Sequence, residues 1–293
     1  MAPMIELPMI EPPRVEPSGA EVQRGTLHPR FEDIAQDGRV KIGALPASLG
    51  VVWRGLLASS SLPGDFQRAG VVPVLRRLVV EGGSAPLGLE HPIEVEGRVE
   101  TAHTATDRRR FLLDIQVDLH GVRAHAYGPP PARAGERERV GGVYAEHVLT
   151  RPFAPEGQRR VDRIPDGIEP EPERPFVALE ALLEPPEGAE QIDADPRPMF
   201  ERLLAMADTD ANQHVNSLDY PRLFEEAAVA AFGDGGLLAR SVELVFGKPC
   251  FSGDSVIVAV ARLRVRGRRG ALATLRAPGE SRPRCAARLL FDD

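Results

Sequence analysis

The sequence contains few of the residues on which several protein classes depend. It has two cysteines, Cys250 and Cys285, which are too few for a disulfide scaffold and show no metal-ligand spacing, so a reducing cytoplasm is expected. Lysine occurs only as Lys41 and Lys248, and the net charge of −7 argues against nucleic acid as the main partner. No stretch approaches the roughly 18 apolar residues that a membrane span requires.

Length and composition indicate a soluble globular protein. A chain of 293 residues with 42% hydrophobic content suits two domains of about 100 to 150 residues each. Residues 1–24 are rich in proline and lack both a basic segment and a continuous apolar run. We therefore expect a flexible tail there, and neither a signal peptide nor a membrane anchor.

Two segments far apart in the chain show helical periodicity. The first is ALPASLGVVWRGLLAS and the second is YPRLFEEAAVAAF. In each, apolar residues fall at i, i+4, i+7, i+8 and i+11, which is one face of a helix. These positions are Leu45, Leu49, Val52, Trp53 and Leu56 in the first segment, and Tyr220, Phe224, Ala227, Ala228 and Ala231 in the second.

Alternating apolar residues after each helix predict antiparallel strands. PIEVEGRVET and FLLDIQVDLH follow the first helix, and SVELVF, SVIVAVARLRV and CAARLLF follow the second. Residues 129–198 are rich in Pro, Glu and Arg, which predicts a linker with one strand near YAEHVLT. The expected organisation is an N-terminal domain at 25–128 and a C-terminal domain at 199–293.

A gapless overlay at an offset of 175 residues tests whether the two halves are related. It pairs Asp33 with Asp208, Val40 with Val215 and Pro46 with Pro221, and it matches the five apolar helix positions of each half. Together with the shared order of elements, this overlay favours an internal duplication.

The stretch DTDANQHVNSLDY, residues 208–220, concentrates polar side chains just before the second helix. It resembles the signature of acyl-acyl-carrier-protein thioesterases, which place two hotdog domains in one chain. RRVDRIPDGIEPE (159–171) is similar to the connector of that family, and VELVFGKPCFSGDSV (242–256) is similar to its strand and turn after the second helix. The resemblance implies an α+β fold of two tandem hotdog domains, each a curved antiparallel sheet around a long central helix.

The resemblance also implies a set of site residues. Asp210, Asn212 and His214 fall on the catalytic positions of the family, and Cys250 falls on a cysteine that has been considered as a nucleophile. The family usually has a glutamate immediately before that cysteine as the base that activates water. Here the position is Pro249, which cannot titrate, so another base, impaired hydrolysis or a different activity must be considered.

The residues support the same chemistry without the family. His214 is the best general base at neutral pH, because an unperturbed imidazole has a pKa near 6.5, and Asp210 can orient it. Asn212 would position substrate or water. A helix N-terminus polarises a carbonyl through its free N–H groups, and Asn216, Ser217 and Asp219 are each candidate N-caps.

Substrate-side residues are expected in both halves. Asn216 and Tyr220 lie beside the catalytic motif, and in the resembling family the first hotdog supplies the acyl pocket, for which Val52 and Trp53 are candidates. As residues on a helix face, those two are equally well explained as core. In the overlay of the two halves, the positions of Asp210, Asn212 and His214 are occupied in the first half by Ala35, Asp37 and Arg39. One active site per chain is therefore expected.

The favoured function is hydrolysis of an acyl thioester of acyl carrier protein or coenzyme A, releasing a fatty or polyketide-type acid. No metal or other cofactor is expected, and the protein would be a cytoplasmic monomer with an internal pseudo-dimer, or a homodimer. The alternatives are a hotdog dehydratase or hydratase on 3-hydroxyacyl thioesters and a catalytically silent acyl-binding protein. Residues 208–219 could also be a calcium loop or a plain polar cap, and Cys250 a small buried residue.

Overall fold

The structure is a computed structural model that describes residues 22–104, 110–124, 131–164 and 173–292. Its strands are β1 (Val22–Leu27), β2 (Val72–Gly82), β3 (Ile93–Thr104), β4 (Phe111–Val122), β5 (Arg137–Thr150), β6 (Glu173–Arg174), β7 (Ala189–Gln191), β8 (Arg197–Leu203), β9 (Ala239–Phe246), β10 (Ser255–Val265), β11 (Arg268–Arg276) and β12 (Cys285–Phe291). Its α-helices are α1 (Leu49–Ser59), α2 (Leu62–Arg68) and α3 (Asp219–Phe232), and short 3-10 turns span Phe31–Asp33, Ile42–Ser48, Leu179–Leu183 and Met206–Asp208.

The strands in the described parts of the chain form one sheet. Their order is β1-β3-β4-β5-β2-β9-β12-β11-β10, with β7 and β8 both pairing with β10. All pairings are antiparallel except that of β6 with β3. Helix α1 packs on β1 and β3, and α3 packs mainly on β10. This arrangement confirms the predicted α+β class and the predicted helix-and-strand content of both halves.

Helix α1 lies directly against the sheet. Val52 is fully buried, and a side chain at Gly97 on β3 would place its Cβ 2.2 Å from a methyl group of Val52. The stretch Ile42–Ser59 is apolar and long enough to cross a membrane by length and composition alone, a test that core helices of soluble proteins also pass. The expectation that no stretch approaches the length of a membrane span is therefore not met by length and composition. In this fold the stretch packs on the strands of the first half.

Helix α3 has the buried face that its periodicity predicted. Tyr220, Phe224 and Ala227 are buried. The helix ends at Gly233, whose left-handed backbone (φ 66°) closes the last turn, a conformation that glycine adopts without steric cost. Burying this face fixes the position of the first turn of the helix, where the polar motif ends.

Strand β2 was not predicted, although it joins the two halves. It pairs with β5 on one side and with β9 on the other. Its sequence VPVLRRLVVEG does not alternate cleanly, because the register shifts between Leu75 and Arg77 and its last five residues are all buried. A strand that has neighbours on both sides and is covered on both faces loses the two-residue pattern on which the prediction depended.

The predicted linker, 129–198, contains more sheet than expected. Its one predicted strand is β5, which begins at Arg137 and occupies the interior of the sheet. The stretch 173–184, which we call the strap, crosses both halves: Phe176 lies between the guanidinium groups of Arg76 and Arg110, and its leucines pack on Val245 of β9. The boundaries at 128/129 and 198/199 remain predictions. Of the predicted tail, residues 1–21 lie outside the described residues, and 22–24 belong to β1.

Two carboxyl groups are buried on the face of the sheet that the strap covers. Asp114 on β4 lies opposite Glu146 on β5, and the two residues are 2% and 1% exposed. Burial raises the pKa of Asp114 to about 6, partly offset by the guanidinium of Arg174. Burial, reinforced by the negative charge of Asp114, raises the pKa of Glu146 to about 7, and Arg77 offsets part of it. Both groups therefore titrate near neutral pH.

These pKa values predict that the two carboxyl groups lower the stability as the pH rises from 5.5 to 8. The folded protein keeps carboxyl protons in this range that the unfolded chain, with carboxyl pKa values near 4, has already released, so ionisation costs the folded state free energy. The buried His147, whose pKa burial lowers to about 4, changes the stability in the opposite direction over the same range. We expect a loss on the order of 2 kcal/mol from Glu146, and Glu146→Gln should remove that contribution, measured by urea unfolding of both proteins at both pH values.

Glu187→Gln, which changes an exposed glutamate, is the matched control and should retain the wild-type dependence. A change in unfolding free energy between pH 5.5 and pH 8 that is the same in the wild type and in Glu146→Gln would contradict the burial of this charge.

Candidate active site

The motif loop, defined as residues 205–216, connects β8 to helix α3 and is closed at its base by Asp208. This residue is 4% exposed. Its carboxylate accepts hydrogen bonds from the Ala205 amide (2.8 Å) and from Nη2 of Arg202 (2.5 Å), and its carbonyl accepts one from the Asn216 amide (2.8 Å). Asp208 therefore faces the protein scaffold.

The motif loop places Asp210 and His214 opposite each other. Thr209 and Val215 form an antiparallel bridge, and the Asp210 amide donates to the His214 carbonyl at 3.1 Å. Opposite residues in an antiparallel pair carry their side chains on the same face, with Cβ atoms about 4.5 to 5.5 Å apart. The backbone N–H of the exposed Asn212 donates to Oδ1 of Asp210 at 2.8 Å. One short loop thus carries the three predicted catalytic residues, and hydrogen bonds of the backbone link them.

Helix α3 begins directly after the motif loop, but none of the predicted caps occupies its N-cap position. The N-cap residue is Leu218, which makes no side-chain capping bond. Asn216 instead stabilises the preceding turn, because its Oδ1 accepts the Leu218 amide at 3.1 Å. Asp219 is the first helical residue and pairs with Arg222. A helix that begins without a side-chain cap leaves N–H groups of its first turn for other acceptors.

Cys250 is tied to the motif loop through the backbone. Its carbonyl accepts the Val215 amide at 2.7 Å, and its side chain is fully buried. Burial raises the pKa of the Cys250 thiol, although Tyr220 and Arg284 beside the sulfur oppose the shift. Burial likewise raises the pKa of Tyr220. Because the thiolate is the reactive form of cysteine, these surroundings favour a packing role for Cys250.

Arg284 is a residue of this region that the motif did not indicate. It donates from Nη1 to Asp254 at 2.5 Å and from Nε to Glu280 at 3.0 Å, and the bond to Glu280 holds its pKa above the ordinary value. Pro249, at the position of the family glutamate, is exposed. Asp254, a carboxylate near Cys250, is thus paired with the arginine. No sequence signal indicated this contact, because it arises from the pairing of β12 with β9.

Val52 and Trp53 lie in the first half. Val52 packs on Gly97, and the half-buried Trp53 meets His147 edge-on, with ring centroids 5.8 Å apart. Nδ1 of His147 lies 3.1 Å from the Leu113 carbonyl, and burial lowers the pKa of His147 to about 4, so the ring is neutral at pH 7. Val52 belongs to the same hydrophobic core as Tyr220 and Cys250, and Trp53 packs against that core.

The carboxylates that suggested a calcium loop are bound by arginines and by the backbone. Asp208 binds Arg202, Asp210 accepts the amide of Asn212, and Asp219 pairs with an arginine of the same helix. Across 22–104, 110–124, 131–164 and 173–292, no group of three or more His, Cys, Asp or Glu residues is arranged to hold a metal ion.

The backbone of Gln213 yields a stability prediction. Its φ of 66° lies in the left-handed region, which costs a residue with a side chain about 1 kcal/mol. Gln213→Gly should therefore raise the free energy of unfolding by about 0.5 to 1 kcal/mol, measured by urea denaturation. Gly38 has a φ of 85° in the first half, and Gly38→Gln is the reciprocal control, expected to lower stability. A destabilised Gln213→Gly variant would show that the side chain makes a stabilising contact.

Comparison with known proteins reveals likeness at the level of structure. No protein-family model and no curated protein matches the chain. An acyl-ACP thioesterase from Bacteroides thetaiotaomicron superposes with a TM-score of 0.60 at 16% identity, covering 92% of this chain and 98% of that one. An oleoyl thioesterase (putative) from Lactobacillus plantarum superposes with a TM-score of 0.64 at 13% identity, covering 94% of this chain and 96% of that one. A 12:0-ACP thioesterase from Umbellularia californica superposes with a TM-score of 0.56 at 15% identity, covering 92% of this chain and 94% of that one. The resemblance to acyl-ACP thioesterases is confirmed at this level: the chain has their hotdog fold.

Proposed function

We propose that this protein is a thioester hydrolase that releases a fatty or polyketide-type acid from acyl carrier protein or coenzyme A. The observation that carries the proposal is the motif loop, in which Asp210 and His214 are paired at the start of a buried helix. The thioesterase fold makes such a loop a reasonable place for this chemistry, and the loop itself supplies a base, a carboxylate and a helix N-terminus.

In the proposed mechanism, His214 removes a proton from water as the water oxygen attacks the thioester carbonyl carbon. The carbonyl oxygen becomes an oxyanion, which N–H groups in the first turn of α3 stabilise. The C–S bond then breaks, the imidazolium returns the proton to the departing thiolate, and the free acid remains. Asp210 orients the imidazole and stabilises its positive charge, and Asn212 positions water or substrate.

The remaining predicted residues would act on the substrate. Asn216 and Tyr220 would border the reacting group, while Val52 and Trp53 would line or support the acyl chain. Cys250 takes no chemical step in this proposal, because burial disfavours its thiolate. His214 takes the place of the missing glutamate as base, which removes the need for a titratable group at Pro249.

The same proposal includes the architecture. We propose two tandem hotdog domains, at 25–128 and 199–293, that arose by duplication and are joined by the segment 129–198. The pairing of β2 with β9 would then supply inside one chain the interface that single-hotdog proteins form between subunits, so that a monomer or a homodimer is expected. The two free thiols, Cys250 and Cys285, favour the cytoplasm.

Substitution of the two titratable residues tests the mechanism. His214→Ala and Asp210→Ala should each lower the rate of acyl-thioester hydrolysis by at least about tenfold, since acid–base groups contribute about 10²- to 10⁴-fold. The rate is measured as release of free thiol. His91→Ala, a half-exposed histidine outside the motif, is the control and should retain the wild-type rate. Wild-type rates in both motif variants would overturn the assignment.

The product identifies the reaction. The protein is incubated with acyl thioesters of coenzyme A and of acyl carrier protein over a range of chain lengths, including 3-hydroxyacyl forms. Free thiol together with free acid supports hydrolysis. An enoyl thioester would indicate a dehydratase, and binding without any product would indicate an acyl-binding protein; either result would replace the proposal.

A further inference from the structure

The first half contains a loop that repeats the backbone of the motif loop. We call residues 30–41 the first-half loop. At the constant offset of 175 residues, each element of one loop has a counterpart in the other. The 3-10 turns Phe31–Asp33 and Met206–Asp208 correspond, as do the isolated bridges Ile34–Val40 and Thr209–Val215 and the left-handed residues Gly38 and Gln213.

The hydrogen bonds of the two loops also correspond. The Lys41 amide binds the Asp33 carbonyl and the Asn216 amide binds the Asp208 carbonyl, both at 2.8 Å. The Ala35 amide donates to the Arg39 carbonyl at 2.8 Å, as the Asp210 amide does to the His214 carbonyl at 3.1 Å. The Gly38 amide donates to the Ala35 carbonyl at 2.9 Å, as the Gln213 amide does to the Asp210 carbonyl at 3.0 Å. The Asp33 carboxylate accepts the Arg30 amide at 2.9 Å, as Asp208 accepts that of Ala205 at 2.8 Å.

The two loops share one charged residue and differ at the positions of the proposed catalytic residues. Asp33 and Asp208 are the only charged side chains that both loops place at the same position and use in the same way. At the tip, by contrast, the first-half loop has Ala35 where the motif loop has Asp210, and Arg39 where it has His214. Because the aspartate is also present in the loop that has no imidazole, we assign it a role in holding the shape of the loop.

The two aspartates differ in what holds them. Asp33 pairs with Arg30, a residue of its own loop. Asp208 pairs with Arg202 on β8 at 2.5 Å, and Arg222 on α3 lies 3.8 Å from the same oxygen. The aspartate of the motif loop therefore connects a strand to the first turn of the helix, whereas the aspartate of the first-half loop binds an arginine of its own loop.

We infer that Asp208 is a positioning residue that holds His214 in register with the N-terminus of α3 through Arg202 and Arg222. The inference rests on the proposed function for its catalytic consequence. The reasoning is geometric: the bond from Asn216 to Asp208 and the bridge beyond it fix the backbone at His214, and the arginines fix that backbone relative to the helix. A displacement of about 1 Å at a reacting group is enough to cost on the order of 10²-fold in rate.

The experiment compares Asp208→Asn with Asp33→Asn as its matched control. Asparagine keeps an oxygen for the loop amide and removes the charge that the arginines bind. We expect Asp208→Asn to lower kcat for thioester hydrolysis at least about tenfold per folded molecule, with KM changed less than twofold. Asp33→Asn should leave both constants unchanged. Arg202→Gln should reproduce the loss, and Arg202→Lys should restore part of it.

A second measurement does not depend on turnover. The titration of the His214 ring, followed by NMR, should shift in Asp208→Asn and in Arg202→Gln, and not in Asp33→Asn. If the wild type hydrolyses no thioester, the proposed function fails, and the titration still decides the positioning role. If the titration and kcat of both substituted proteins equal those of the wild type, Asp208 does not position His214 and the inference is overturned. If Asp208→Asn does not fold, Arg202→Gln carries the test.

Discussion

The pairing of β2 with β9 is the interaction on which the rest of the structure depends. Leu78 and Val80 on β2 and Leu244 on β9 are fully buried, and Arg77 forms a 2.7 Å ion pair with the buried Glu243 across the same boundary. Because this pairing makes one sheet of two halves, the turn Ile42–Ser48 of the first half contacts α3 of the second half. The start of α3, and with it the motif loop, has a fixed position only in that joined sheet.

The strap reinforces the same boundary from the other face of the sheet. Arg288 on β12 donates to the carbonyls of Ala181 and Glu184, and Arg174 pairs with Glu100 on β3. The strap therefore binds to strands of both halves and covers the buried carboxyl groups of β4 and β5. This arrangement explains how charged residues can occupy the interior: guanidinium groups from the strap and from β2 compensate part of the desolvation that raises the carboxyl pKa values.

The sequence predicted local features well and long-range features poorly. The helix at Tyr220 and the loop with Asp210 and His214 followed from periodicity and from a short motif, both of which are local. Strand β2 was missed because burial on both faces removes alternation, and Arg284 was missed because sheet pairing, not chain proximity, brings it to Cys250. The N-cap was predicted incorrectly for a related reason: Asn216 closes the turn ahead of the helix, an alternative that Asn side chains offer equally well.

The two loops explain why one chain would carry one site. Arg39 occupies the position of His214, and an arginine side chain has no acceptor atom and is not deprotonated in proteins, so it cannot serve as a base. It is also committed to structure, since it pairs with Asp37 within the loop and with Asp292 beyond β12. The contact with Asp292 attaches the first-half loop to the last strand of the second half. The backbone that holds an imidazole in one half thus holds an ion pair between halves in the other.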